Sequence, residues 1–293
     1  MVRAQITLTP TESKKLIAKA VAKMEVVQRA AQEGVIAIHP SSSTYFIVEE
    51  LLGERANTTA WACGIVVPKA TCIEMGSRVS KDAGDVFDEK GRGGPEDFRL
   101  TWVIKDGTLR TGIKLGTLLG EMGPQDVYIK GVNALDMEGT VGVLIGNPVE
   151  GGTIARVVAA SRRKGFPLIF PVGLEKLVPH PIREASKEAQ RRNLDYCTGM
   201  ACNLMPVAGA VVTEITAFDI LSGAKATVIA AGGLSGAEGA VTLVLTGGEE
   251  QVSPAITFFE ASKGAVLPQV RTFNCYDCPI AHCHSPIVGK SWA

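Results

Sequence analysis

Five stretches of this chain carry side chains able to hold an anion, move a proton or bind a metal. The first is Ser41-Ser42-Ser43-Thr44, which follows the apolar run Val35-Ile36-Ala37-Ile38 and precedes a helical segment from Tyr45 to Leu52. A helix start exposes unpaired N–H groups and the positive end of its dipole, so small hydroxyl residues there suit a phosphate or carboxylate. The same residues are also ordinary helix caps. His39, at the end of that run, could orient a phosphate or act as a base. The second stretch, Lys130-Gly131-Val132-Asn133-Ala134-Leu135-Asp136-Met137-Glu138-Gly139, delivers a cation, an amide and two carboxylates from one strand end. Lys130 would pair with an anion, and Asp136 or Glu138 would carry a proton. A solvated turn is the alternative.

The third stretch is Gly146-Asn147-Pro148-Val149-Glu150-Gly151-Gly152-Thr153. Its paired glycines admit a ligand close to the backbone, and Thr153 can cap a helix or touch that ligand. Glu175 and Lys176 follow the apolar segment ending Pro171-Val172, and read either as catalytic groups or as a surface helix start. The last stretch is Cys275-Tyr276-Asp277-Cys278-Pro279-Ile280-Ala281-His282-Cys283-His284. Cys275 and Cys278 have the spacing that sets two thiolates on one turn, and His282, Cys283 and His284 add donors for zinc or an iron–sulfur cluster. Cys197 and Cys202 would complete such a site if the tail folds back. Adventitious metal binding and a Cys275–Cys278 thiol pair are the other readings.

These stretches need a scaffold that brings them together. Thr9 or Thr11 caps a helix whose apolar residues, Leu16, Ala20, Val21, Met24 and Val27, run at helical spacing to about Gln32, where Gly34 stops it. Strands are expected at 35–38, 58–75, 100–104, 126–130, 140–145 and 167–172, with a helix from Ile154 to Lys164 and a long polar loop from Lys81 to Asp97. Strands alternating with helices predict an α/β fold with a mainly parallel sheet, which binds ligands at its carboxyl ends. Beyond about residue 205 the order becomes helix, strand, strand, helix, that of a smaller ferredoxin-like α/β module. The expected division is a Rossmann-like ligand domain over 1–204, the module over 205–270, and a Cys/His-rich tail over 271–293.

Thirty basic residues balance thirty acidic ones, so no net field draws the chain to nucleic acid or an anionic membrane. No run approaches the roughly 20 apolar residues of a membrane span. The start, Met1-Val2-Arg3-Ala4-Gln5-Ile6, lacks the apolar core of an export signal, and the seven cysteines suit a reducing compartment. A cytoplasmic protein is expected, with a small anionic ligand and compatible with homo-oligomers.

In element order the chain resembles the superfamily uniting glucosamine-6-phosphate deaminase, ribose-5-phosphate isomerase, the CoA transferases, the sensor domains of sugar-responsive repressors and methylthioribose-1-phosphate isomerase. Residues 14–52 are similar to their opening helix, strand, phosphate turn and helix, and residues 126–172 to their strand, acidic loop, helix and strand. The resemblance implies that Ser41 to Thr44 form the phosphate turn, and that Asn133 and Asp136 lie on the loop of acid–base carboxylates. This chain has serines where those families carry glycines in the first turn, and Asn133 where some keep a carboxylate. The function expected is proton transfer on a small phosphorylated or carboxylated metabolite, as in an isomerase. The alternatives are a metabolite sensor without turnover and a metal- or cluster-dependent enzyme using the tail.

Overall fold

The chain begins with a strand, β1 (Val2–Leu8), which Thr9 turns into helix α1 (Pro10–Lys23). The Glu12 N–H donates to the Thr9 hydroxyl and the Thr9 N–H donates to the Glu12 carboxylate, a reciprocal cap, with Pro10 in the first turn. Met24 is extended, with ψ 134°, and divides the helix expected to reach Gln32 into α1 and α2 (Glu25–Glu33). Next come β2 (Ile36–His39), α3 (Tyr45–Leu52), β3 (Ile65–Val67), β4 (Ala70–Cys72), β5 (Trp102–Lys105) and β6 (Thr108–Arg110). They are followed by α4 (Leu115–Glu121), β7 (Val127–Lys130), β8 (Ala134–Leu135), β9 (Val141–Ile145), α5 (Gly152–Lys164) and β10 (Leu168–Pro171). A single 3₁₀ turn, Leu174–Lys176, leads to α6 (Ile182–Glu188), β11 (Gly199–Met200), β12 (Asn203–Val207) and β13 (Ala210–Val212). The chain closes with α7 (Glu214–Ser222), β14 (Lys225–Ala231), β15 (Val241–Gly247), α8 (Glu249–Glu260) and β16 (Cys283–His284). This computed structural model describes residues 1–56, 61–62, 65–68, 70–72, 101–111, 113–146, 151–190, 194–270 and 283–284.

The largest sheet has the order β13-β10-β7-β2-β5-β6. Strands β13, β10, β7 and β2 run parallel, while β5 pairs antiparallel with β2 and β6 antiparallel with β5. Every residue of β2, β7 and β10 is buried, as their unbroken apolar runs require of strands covered on both faces. Alternate residues feed two cores. Ile36, Ile38, Val127, Ile129 and Ile169 join Leu16 and Ile17 of α1 and Phe46 of α3 on one face. Ala37, Tyr128, Leu168 and Phe170 join Leu118 of α4 and Val157 of α5 on the other. The fold is therefore α/β, with helices on both faces of a mixed sheet.

Two expectations about organisation need correction. The boundary drawn near residue 205 cuts through the large sheet and through a smaller one. β13 lies beyond it yet pairs with β10 in the large sheet, while the small sheet, ordered β1-β15-β14, takes its edge strand from the amino terminus. Leu8, Phe218, Leu243 and Val252 belong to the same core as Ile36 and Ile129, so the module at 205–270 has no apolar interior of its own. The strand expected at 140–145 forms, but as β9 of an antiparallel trio with β8 and β12. The loop from Lys81 to Asp97 lies outside the described residues, as do Asn147 to Glu150. Among the described residues no helix is long and apolar enough to cross a membrane.

Candidate functional site

The parallel strands β2, β7 and β10 end side by side, so the segments after His39, Lys130 and Pro171 share one edge of the sheet. His39 stands opposite Lys130 in the register of β2 and β7. A Cβ on Gly131 would lie 2.5 Å from the Ser41 hydroxyl oxygen and 3.3 Å from the Ser43 Cβ. Only glycine lets the loop after β7 pass this close to the serine turn. Thr44, fully buried, donates from its hydroxyl to the His39 carbonyl at 2.7 Å and so fixes the turn to the strand it follows. Ser43 is buried, while Ser41 and Ser42 remain partly accessible.

Lys176 joins the three strand ends. Its ammonium donates to the Ser43 hydroxyl at 3.0 Å and to the Val132 carbonyl at 2.8 Å. It thus ties the segment after β10 to those after β2 and β7. Burial pulls this lysine down to about 8, against the opposing pull of Glu175 and Glu214 and aided by Lys14. The neighbouring Glu175 places Oε1 2.6 Å from the Lys14 ammonium. Its Oε2 is buried without a hydrogen-bond partner among the described residues.

Glu214, the first residue of α7, is fully buried. Its two oxygens accept the Leu174 N–H at 3.2 and 3.0 Å, and the Ser13 hydroxyl donates to the same carboxyl group. Burial is the largest cause pushing it up to about 7, with Ser13 opposing and the like charge of Glu175 adding to the rise. Because the folded chain holds this proton more tightly than a free carboxylate at 4.5 does, Glu214 leaves stability intact below about pH 4.5. It erodes stability as pH climbs to about 7. The difference between 4.5 and about 7 corresponds to roughly 3 kcal/mol at most. Urea unfolding of the Glu214→Gln variant should therefore lack the fall between pH 4.5 and 7.5 that the parent chain shows.

His39 is buried, with Nδ1 lacking a partner among the described residues. Burial, reinforced by the Lys130 charge, holds its pKa well below the usual histidine range. The imidazole is accordingly neutral near pH 7, and can donate or accept one hydrogen bond without carrying charge.

The remaining candidates are held in structural contacts or face solvent. Asp136 is buried, but Oδ1 accepts the N–H groups of Glu138 and Thr140 at 3.0 and 2.8 Å, and Oδ2 accepts that of Ile182 at 2.9 Å. A carboxylate engaged by three backbone donors holds a hairpin rather than carrying a proton. Asn133 likewise accepts the Leu144 N–H at 3.0 Å, and Glu138 is exposed at the hairpin tip. Gly151 and Gly152 both have positive φ and begin α5. A Cβ on Gly152 would meet Ile145 of β9, and one on Gly151 would meet Ala155. Thr153, partly buried, is the second residue of that helix and supplies no cap, since the N-cap is Gly151. Of the segments carrying Ser43, Lys130 and Gly152, the first two meet at this strand edge, whereas Gly152 follows β9 of the antiparallel trio.

Cys275, Cys278 and His282 lie outside the described residues. The backbone of β16 pairs Cys283 with Met200 and His284 with Gly199, returning the tail to the segment between Cys197 and Cys202. Among the described residues no three His, Cys, Asp or Glu side chains are grouped to hold a metal.

Lys14, Ser13 and Glu214 were not foreseen. Lys14 and Ser13 precede Ile17 and Leu16 by three residues, so they extend the apolar stripe of α1 towards its start. Polar groups on a buried stripe were the available signal. Glu214 follows a strand of only three residues, too short to show in the pattern. No protein-family model, no curated protein and no solved structure matches this chain.

Proposed function

We propose that this chain is an enzyme that binds a small phosphorylated or carboxylated metabolite at the carboxyl edge of its large sheet and transfers a proton on it. The observation that carries the reading is the meeting of three strand-end segments on the Lys176 ammonium, with Ser43 and Val132 as its acceptors. Open parallel sheets bind ligands at this edge. The turn from Ser41 to Thr44, with Gly131 close against it, offers hydroxyl and amide donors to an anion, and Lys130 supplies charge beside it. His39, neutral and with Nδ1 available, is suited to polarise a carbonyl or hold a hydroxyl of the substrate. Lys176 is the proton carrier, since a group titrating near 8 exchanges protons readily at working pH. The proton-transfer role considered for Asp136, Glu138 and Glu175 thereby passes to Lys176, with Glu175 and Glu214 setting its surroundings.

The same reading takes the four parallel strands as a Rossmann-like sheet and β1, α7, β14, β15 and α8 as a ferredoxin-like accessory unit. That arrangement is the one the resemblance to the sugar-phosphate isomerase and CoA-transferase superfamily implies. The test is solvent isotope exchange. Small sugar phosphates, hydroxy acids and oxo acids are incubated with the chain in D₂O, and carbon-bound deuterium is measured by NMR. Incorporation that depends on the protein and falls at least tenfold in Ser43→Ala supports the reading. Thermal stabilisation by such compounds with no incorporation would make the chain a sensor instead.

A further inference from the structure

Among the neighbours of the candidate site, Lys176 has contacts that a structural lysine does not need. Its two hydrogen-bond acceptors, Ser43 Oγ and Val132 O, are neutral. The two carboxylates near it are turned elsewhere, Glu175 towards Lys14 and Glu214 towards Leu174 N–H and Ser13. A lysine meant to stay charged would pair with one of them. The residue as a whole is partly exposed.

We propose that Lys176 is a nucleophile that forms an imine with the carbonyl carbon of an anionic aldehyde or ketone held by the serine turn and Lys130. This inference rests on the proton-transfer reading and adds the substrate class, a carbonyl compound with a phosphate or carboxylate group. The neutral amine nitrogen attacks the carbonyl carbon and the carbon–nitrogen bond forms. The nitrogen passes one of its two protons to the carbonyl oxygen, a second proton comes from solvent, and the oxygen leaves as water while the nitrogen keeps its remaining proton as an iminium. No oxidant or reductant is required. The iminium withdraws electrons from the adjacent carbon, so its C–H proton becomes acidic and passes to water; Lys176 then acts on that proton through the iminium and not as its direct acceptor, and this is the step that isotope exchange would record. A desolvated lysine held by neutral acceptors is the usual physical means of obtaining a reactive amine near neutral pH.

The experiment traps the imine. The full chain is incubated with pyridoxal 5′-phosphate or with glyoxylate, reduced with sodium cyanoborohydride, and digested for mass spectrometry. The expected result is a reduced adduct concentrated on Lys176, formed with a half-maximal rate near pH 8. It should be at least tenfold faster than at the exposed Lys105 and slowed at least tenfold by saturating inorganic phosphate. Lys176→Arg should abolish this adduct, while Lys105→Arg should leave it unchanged. Modification of Lys176 no faster than Lys105 overturns the proposal, and wild-type mapping decides this even if a variant does not fold. The two claims fail separately. Phosphate binding without an adduct on Lys176 removes the imine and keeps the anion site. A rapid Lys176 adduct that phosphate does not slow keeps the nucleophile and removes the anion site.

Discussion

Replacing Asp136 with alanine is expected to lower the free energy of unfolding by about 4 kcal/mol, the largest stability effect of any single substitution near the strand ends. Its carboxylate, 4% exposed, accepts three backbone N–H groups. Hydrogen bonds to a charged partner contribute about 1.5–3 kcal/mol each, and the donors left behind would be only partly rehydrated. For a chain of this length the loss amounts to a fall in Tm on the order of 10 °C. Asp136→Asn should cost about half as much. Its amide oxygen can keep the Glu138 and Thr140 donors, but its NH₂ group then faces the Ile182 N–H. Urea unfolding of the two variants checks the ordering. Were Asp136→Asn to keep the parent stability and lose only turnover, Asp136 would return to the proton-carrying role and Lys176 would lose it.

The physical origin of that engagement explains what could be read from residues alone. Buried parallel strands announce themselves as apolar runs, and 36–39, 127–130 and 168–171 are all strands. That Ser41, Ser43 and Lys130 share an edge follows from strand order, because segments that leave parallel neighbours at the same end must meet. The position of α3 after the turn at Ser41 to Thr44 was equally legible, down to Gly53 with its φ of +73°. What stayed hidden is pairing across long sequence separations. Nothing in Val2–Leu8 signals that it will pair with Val241–Gly247, since an alternating strand is compatible with any partner of matching length. The hairpin at 134–141 was hidden for a related reason. Asp136 in a loop reads as a reactive carboxylate until the Ile182 N–H, 46 residues later, is known to reach it.

Glu12 illustrates the same limit from the side of electrostatics. In the sequence it is the third residue of a capped helix. In the fold it also accepts the Lys263 ammonium at 2.9 Å and the Gly264 N–H at 3.1 Å. The end of α8 is thereby pinned to the start of α1. That contact holds the turn carrying Ser13 and Lys14 in place over Glu214 and Glu175, so the surroundings of Lys176 depend on a residue at the far end of the chain. Charges that define the candidate site arrive from α1, from α7, from the end of β7 and from the segment after β10, and only the last two were visible as strand ends.

Lys176→Met is expected to slow proton exchange on substrate by 10²–10⁴-fold, the range for loss of a positioned acid or base, without lowering stability at pH 7. The two effects have different origins. Burial costs the ammonium form, so the folded chain surrenders this proton at about 8 while a free lysine keeps it to 10.5. Between those values the unfolded chain binds more protons, and stability therefore rises with pH from about 8 to 10.5; below 8 the full cost is present. Methionine fills a similar volume and carries no charge. It removes that cost, up to roughly 3 kcal/mol between 10.5 and about 8, and loses two hydrogen bonds to neutral acceptors of about 1 kcal/mol each. The balance at pH 7 is near zero or slightly stabilising, and the rise in stability above pH 8 disappears. A merely structural lysine would behave in the opposite way, with the Tm falling alongside the rate. Calorimetry at pH 7 and pH 10, read beside the exchange rate of the same variant, separates the two roles in one set of measurements.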